Sequence, residues 1–312
     1  MTIRNALTID VEDYFQVTGF ERDIRREDWG TYPSRVAPNT RRILALLRRR
    51  GVRATFFVLG WVADHHPDLV REIDEAGHEI GSHSYWHRLV YNLSPKEFRD
   101  DLCRSRDLLQ DITGKSVTAY RAPSFSITTQ ALWALDILAE EGFKVDMSIF
   151  PTYHHRCGIP GAPCHPYLHE TESGSLWEFP VSVARIARAR LPVSGGGYFR
   201  LLPYWLTSRL LQRINHRFRQ PFVFYIHPWD LDPEQPRLNV STRAMRFRHY
   251  VNLTTTEAKL KRLLNQFLFD RVDHVLDTYI AAVEGDAAAR TAQVTLRSDR
   301  TQAEVNACAA RV

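Results

Sequence analysis

The sequence predicts an α/β fold on a parallel sheet, a single barrel-like domain with a tail left over, and three observations lead there. The first half alternates short β-rich runs with amphipathic helical segments, the pattern of strands joined by crossover helices. The chain has 312 residues, 44% of them apolar, enough for one α/β barrel of roughly 250 residues plus an extension. Third, the residues able to do chemistry follow apolar strands, and in such barrels chemistry sits at the strands' carboxyl ends.

Strands are expected at Ile3 to Val11, Ala54 to Leu59, Glu79 to Ser82, Ala119 to Ala122 and Phe143 to Ser148. Between them, Asn39 to Arg50 puts Ile43, Leu44, Leu46 and Leu47 on one helical face. Ser94-Pro95-Lys96-Glu97 is a capping box that opens a helix running to Thr113 and stopping at Gly114. Thr129 to Glu141 is a helix closed by Gly142. Residues 151–174, rich in Pro, Gly and His, read as a long loop. Further strands are expected at Leu176 to Val183, Tyr198 to Leu201, Phe222 to Ile226 and Val272 to Leu276, with helices at Pro203 to Phe218 and Thr256 to Phe269. Gly195-Gly196-Gly197 reads as a tight turn, because no strand-to-helix phosphate-loop motif surrounds it. Residues 1–285 form the barrel domain, and 286–312, with little apolar periodicity, read as a disordered tail.

The net charge is +5 and the pI about 9.1, but much of the excess lies in short arginine runs such as Arg48-Arg49-Arg50. No aromatic-rich signature accompanies them, so nucleic acid is not an expected partner; anionic glycans or lipid head groups are compatible with the charge. The four cysteines form no CxxC motif, and nothing demands an oxidising compartment. The N-terminus reads as a strand rather than a signal peptide, and no apolar run reaches about eighteen residues. A cytoplasmic protein without a membrane span is the expectation.

His83 and His87, in His83-Ser84-Tyr85-Trp86-His87, have the spacing of two metal ligands if the segment makes one helical turn. Asp10-Val11-Glu12-Asp13 closes the first strand, and the two-residue period puts Asp10 and Glu12 on one face. One carboxylate and two imidazoles would leave coordination positions open for water and substrate, with the other carboxylate free to act as a base. Arg121, after the fourth strand, has a planar fork suited to holding a carboxylate. His227 follows the buried run Phe222 to Ile226 and has the pKa range of a proton donor to a departing amine. The histidines and cysteines of 154–169 match no zinc framework.

Ala6-Leu7-Thr8-Ile9-Asp10, Ala54 to Gly60, Gly77-His78-Glu79 running into His83 to His87, Arg121 to Ser126 and Ile226-His227-Pro228 occur here in one order. Together they resemble the polysaccharide deacetylases of carbohydrate esterase family four, the NodB-homology type, over roughly residues 3 to 280. Asp10 to Asp13, Asp146 to Pro151 and Phe247 to Tyr250 look like the branch associated with bacterial exopolysaccharide biosynthesis loci. The resemblance implies a distorted (β/α) barrel of about seven parallel strands and a divalent metal, most often Zn2+. It also implies hydrolytic removal of N-acetyl groups from the acetylated hexosamines of a polysaccharide or its precursor, with peripheral association with an exopolysaccharide assembly system as a further expectation. Carried over, Asp10 is the base, Arg121 its clamp, His227 the acid, and His83, His87 and Glu12 the metal ligands. Adjacent aspartates are the common family pattern, so Asp13 rivals Glu12. A backbone N–H near Tyr85 or Trp86 is a candidate oxyanion donor, and Trp86, Phe125 and Trp229 are candidate stacking surfaces. The competing readings are a hydrolase of the same fold acting on an ester or cyclic amide, and a glycan-binding protein without catalysis.

Overall fold

The protein is described by a computed structural model covering residues 3–154, 157–187, 189–239 and 242–285. The first strand, β1 (Arg4–Val11), sets the frame. Ala6, Thr8 and Asp10 alternate with Leu7, Ile9 and Val11, and every one of these six side chains is buried. A strand apolar or enclosed on both faces belongs at the centre of a sheet whose faces are both covered. β1 accordingly pairs in parallel with three partners.

The elements follow in the order α1 (Val36–Arg50), β2 (Thr55–Val58), α2 (Gly60–His65), α3 (Pro67–Glu75), β3 (Glu79–Ser82), α4 (Pro95–Thr113), β4 (Ala119–Tyr120), α5 (Trp133–Glu140) and β5 (Val145–Asp146). Next come the hairpin β6 (Tyr167–Thr171) and β7 (Gly174–Glu178), the hairpin β8 (Val183–Ile186) and β9 (Ala189–Pro192), α6 (Gly196–Leu201), α7 (Tyr204–Phe218) and β10 (Val223–Ile226). The described chain ends with α8 (Arg243–Tyr250), α9 (Leu253–Gln266), β11 (Leu268–Asp270) and α10 (Val272–Gly285). The sheet order is β10-β1-β2-β3-β4-β5-β7-β6, with β11 beside β1. From β10 to β7 the seven strands are parallel; β6 is antiparallel to β7.

Between β7 and β10 the wall is completed by the residues flanking the second hairpin. The Val181 N–H donates to Ile149, the Val223 N–H to Ser182 Oγ, and the Tyr225 N–H to Ser194. The result is the distorted α/β barrel that the sequence implies. Its interior is layered. Val272, Val275 and Leu276 of α10 plug the amino-terminal end against Ala6, Phe57, Ala119, Val145 and Val223. Thr8, Arg121 and Asp10 lie above them toward the carboxyl ends.

Several expected elements are corrected. Residues 198–201 are not a strand but the end of α6, whose start needs Gly195 at φ 142° and Gly196 at φ 49°. A Cβ on Gly195 would stand 1.9 Å from the Tyr225 carbonyl oxygen, so the glycine run permits a close approach as well as a turn. Residues 272–276 begin α10 instead of forming a strand, the last strand being β11. The 151–174 segment is not all loop, because Tyr167–Thr171 pairs with Gly174–Glu178. The expected disordered tail, 286–312, lies outside the described residues.

Candidate active site

A pocket opens at the carboxyl ends of β1, β3 and β10, and Asp10, Glu12, His83, His87 and His227 all line it. The strand period directs Asp10 inward with Ala6 and Thr8. β1 ends at Val11, the Glu12 N–H donates to the Asp10 carbonyl, and the Glu12 side chain turns into the same pocket. Asp13 turns the other way. Its Oδ1 accepts the Tyr14 N–H at 3.0 Å, and its Oδ2 accepts Ser34 Oγ, Arg35 N–H and Val36 N–H at 2.8, 2.8 and 3.1 Å. A carboxylate saturated by four donors at the amino end of α1 is committed to that helix and is not in the pocket.

His83 and His87 converge, with ring centroids 5.3 Å apart, but not through a helical turn. Ser84 and His87 are left-handed, with φ of 67° and 52°. The loop between them is clasped by Asp101 of α4, which accepts the Tyr85 and Trp86 N–H groups at 2.7 and 3.3 Å. Those two amides therefore do not face a substrate carbonyl, which removes the expected oxyanion donors. Trp86 packs toward Trp29, outside the pocket, while Phe125 and Trp229 line it.

The donor chemistry of Glu12, His83 and His87 fits a cation. Their ligand atoms all lie within 4.8 Å of one another, and all three residues are buried. His83 Nδ1 is 2.7 Å from the Arg121 carbonyl oxygen, which only accepts, so Nδ1 carries the proton and Nε2 presents its lone pair. Burial pushes the His83 pKa down to about 4, so the ring is neutral at pH 7. Burial raises Glu12, but the charge of the adjacent His87 imidazole, with His227 and His83 behind it, outweighs this and brings it down to about 2. Glu12 Oε2 stands 2.7 Å from His87 Nε2 yet is a buried oxygen without a well-formed hydrogen bond. A carboxylate oxygen and an imidazole nitrogen crowded together in this way is the arrangement a shared cation would satisfy. Among the described residues this is the single group of three such side chains able to hold a metal.

Beside the cluster, Asp10 Oδ1 accepts from Arg121 Nη1 at 2.6 Å, and the same nitrogen donates to Thr8 Oγ1 at 2.8 Å. Arg121 is fully buried, its guanidinium 4.4 Å from the Phe57 ring centroid. His227 Nε2 lies 4.0 Å from Asp10 Oδ2 and 3.7 Å from Glu12 Oε1. Its Nδ1 is 2.9 Å from Asp230 Oδ2, which also accepts the His227 N–H, so Nδ1 holds the proton and Nε2 faces the pocket. Asp230 is paired in turn with the buried Arg200. Trp229 stacks on His227 at 4.6 Å and donates to Glu12 Oε1 at 3.2 Å. Burial lowers the His227 pKa against the opposing pull of Glu12 and Asp10.

All six proposed residues thus meet in one place. Sequence reading missed Asp101, Asp230 and Arg200, the groups that orient them. Asp230 had a signal, three residues beyond His227 in His227-Pro228-Trp229-Asp230, where a carboxylate can fold back onto the preceding turn. Asp101 and Arg200 had none, since each acts across the fold.

Fold and site together define an α/β-barrel protein with a candidate His–His–carboxylate metal centre at the carboxyl ends of its strands. More particularly, residues 28–144 match the family model described as "Polysaccharide deacetylase", and residues 147–277 match "Domain of unknown function (DUF3473)". A peptidoglycan deacetylase of Helicobacter pylori is 34% identical over 123 residues, 38% of this chain and 40% of that protein. A peptidoglycan-N-acetylglucosamine deacetylase of Bacillus cereus is 33% identical over 98 residues, 31% of this chain and 36% of that one. The matched stretches thus span about two fifths of these curated relatives or less. A solved structure from Mycobacterium smegmatis, assigned as a polysaccharide deacetylase, shares the fold at a TM-score of 0.60 and 23% identity, covering 90% of this chain and 91% of that one.

Proposed function

We propose that the chain is a metal-dependent N-deacetylase that hydrolyses the acetamido group of acetylated hexosamines in an exopolysaccharide or its precursor, releasing acetate. The observation that carries this reading is that His227 Nε2 stands 4.0 Å from Asp10 and 3.7 Å from Glu12, directly beside the group that Glu12 forms with His83 and His87. Glu12, His83 and His87 would hold a divalent cation, with zinc the best match to two imidazoles and a carboxylate; when bound, such an ion polarises the carbonyl and acidifies water.

The chain's own residues supply the rest. Asp10, oriented by Arg121, accepts the proton of the attacking water. As the carbonyl carbon gains the water oxygen, its C–N bond breaks. His227, with its Nδ1–H held by Asp230 and a second proton on Nε2, delivers the Nε2 proton to the departing amine nitrogen and is left neutral. The proton taken up by Asp10, whose Oδ2 lies 4.0 Å from Nε2, restores it as acetate and the free amino sugar leave. Phe125 offers apolar surface for the sugar ring at the pocket wall, whereas Trp229, expected as a second such surface, is already stacked by His227 and by His249.

The test is free acetate measured against a panel of N-acetylated and O-acetylated glycans, with bound metal quantified in the same sample. We expect release from N-acetylated hexosamine polymers, loss of release on chelation and recovery with zinc. Cleavage of the O-acetylated members alone, or full activity in metal-free protein, would overturn the reading. Glu12→Gln, His83→Ala and His87→Ala should each bring metal content well below one per chain.

A further inference from the structure

Residues 179–229 contain eight arginines and not one Asp or Glu. With 36 acidic residues in 312, a stretch of 51 would ordinarily hold about six. The segment builds β8, β9, α6 and α7, and α7 divides cleanly. Tyr204, Leu210, Leu211 and Ile214 are buried against the barrel, while Trp205, Arg209, Arg213 and Arg217 recur every fourth residue on the exposed side. That stripe is about 18 Å long at the rise of an α-helix. The β8–β9 hairpin lies alongside it: Arg213 Nε donates to the Arg185 carbonyl at 3.1 Å, and the Arg185 guanidinium sits 4.1 Å from the Phe218 ring centroid.

Two further features separate this face from an ordinary solvated helix. Several exposed arginines elsewhere are neutralised, as in Arg41–Glu72, Arg71–Asp68 and Arg99–Glu140, whereas Arg185, Arg209, Arg213 and Arg217 form no ion pair among the described residues; Arg48, Arg49 and Arg50 of α1 are likewise exposed without an ion pair there, but α1 carries no exposed large apolar side chain beside them. Of the seven large apolar side chains that stand exposed among the described residues, four belong to this segment: Ile186, Leu191, Leu201 and Trp205, the last 66% exposed. The groove between hairpin and helix is lined by these two kinds of side chain together, Ile186 and Trp205 with Arg209, Arg213 and Arg217.

We infer that this face docks the protein on an anionic phospholipid bilayer. Arginines meet the head groups, while Trp205, Ile186 and Leu191 enter the boundary with the acyl chains. A polyanionic glycan would satisfy the charge but offers no apolar phase to the four exposed side chains. The stripe also leads away from the pocket, down the outside of the barrel, since α7 runs antiparallel to the strand it precedes. The surface still adjoins the site: Gly196, Tyr198 and Arg200 of α6 line the pocket, and Leu201 and Trp205 follow directly. Docking by this face would hold the pocket mouth near the membrane plane. The inference does not depend on the reaction proposed above.

The experiment uses the full chain with sedimenting vesicles, either pure phosphatidylcholine or with about 30 mol% phosphatidylglycerol. Binding is expected only to the anionic vesicles and should weaken as salt is raised, a result needing no variant. Arg209→Gln/Arg213→Gln/Arg217→Gln should lower the partition coefficient about a hundredfold, roughly fivefold for each charge lost. The charge-preserving triple Arg→Lys should stay near wild type, and Trp205→Ala should weaken what survives at high salt. Acetate release from a soluble oligosaccharide should be unchanged throughout. Equal binding to both vesicles, no binding to either, a triple Gln variant that binds as wild type, or retention by an acidic polysaccharide but not by vesicles would each overturn the inference.

Discussion

Replacing Asp13 with alanine separates the two carboxylates that compete for the metal role. In the folded protein, Asp13 is 1% exposed and accepts three backbone N–H groups and the Ser34 hydroxyl. Ser34 Oγ has a second neighbour, His66 Nε2 at 3.2 Å, and can turn to it. The amides of Tyr14, Arg35 and Val36 would be left without that acceptor in a buried setting. Each stranded donor costs roughly 1 to 1.5 kcal/mol, so Asp13→Ala should lose about 3 to 4.5 kcal/mol. For a chain of this size, about 2 °C is expected per kcal/mol, giving a fall in Tm of about 6 to 9 °C. Thermal melts measure the loss, and elemental analysis of the purified variant measures the metal, which should stay at the wild-type ratio. Glu12→Gln should do the reverse, losing metal with little change in the melt of the metal-free protein. An Asp13→Ala protein that melts like wild type but has lost its metal would refute the reasoning and exchange the two residues.

Asp10→Asn should cut acetate release by at least about a hundredfold with metal retained, which metal analysis beside the rate assay checks; loss of the metal would make Asp10 a ligand rather than the base. Asp230→Asn should leave metal content and KM near wild type, lower kcat and displace the limb of the pH–rate profile assigned to His227, because the imidazole loses the acceptor that fixes its tautomer; an unchanged profile would reduce Asp230 to a packing role. Glu178 and Asp146 are buried side by side, and burial, with Asp146 adding to it, holds the Glu178 pKa well above the usual carboxylate range. A raised folded-state value means that stability is fully present below the unfolded pKa near 4.5 and falls as pH rises toward the folded value. Glu178→Gln should therefore melt with wild type near pH 4 and above it near pH 8, and an offset independent of pH would show that ionisation is not involved.

How far the sequence reaches depends on whether the decisive contact is local. β1 and β2 were legible because each is an apolar run next to a turn, and Asp10 and His227 because each stands at the end of such a run; β3, Glu79-Ile80-Gly81-Ser82, is not apolar and was legible only through its place before the histidine pair. The start of α10 was legible too but was misread: Val272, Val275 and Leu276 are buried at i, i+3 and i+4, a helical spacing within a stretch short enough to pass for a strand. α3 was left unassigned, although Leu69, Val70 and Ile73 are buried in helical register. Tyr198 to Leu201 misled in the other direction, since a β-prone composition there is overruled by glycines that admit the backbone against Tyr225.

The histidine pair shows why the remainder was hidden. A spacing of four suggested that a helical turn would bring His83 and His87 together, and they do come together, but on a loop with two left-handed residues. Such a loop is costly unless the surrounding structure fixes it. Asp101 supplies that constraint from α4, and the Arg121 carbonyl sets the His83 ring from β4's end, so both histidines are aimed by elements distant in sequence. The Arg121 side chain meanwhile holds Asp10. One residue therefore ties the candidate base to a candidate ligand, which spacing within any single motif could not disclose.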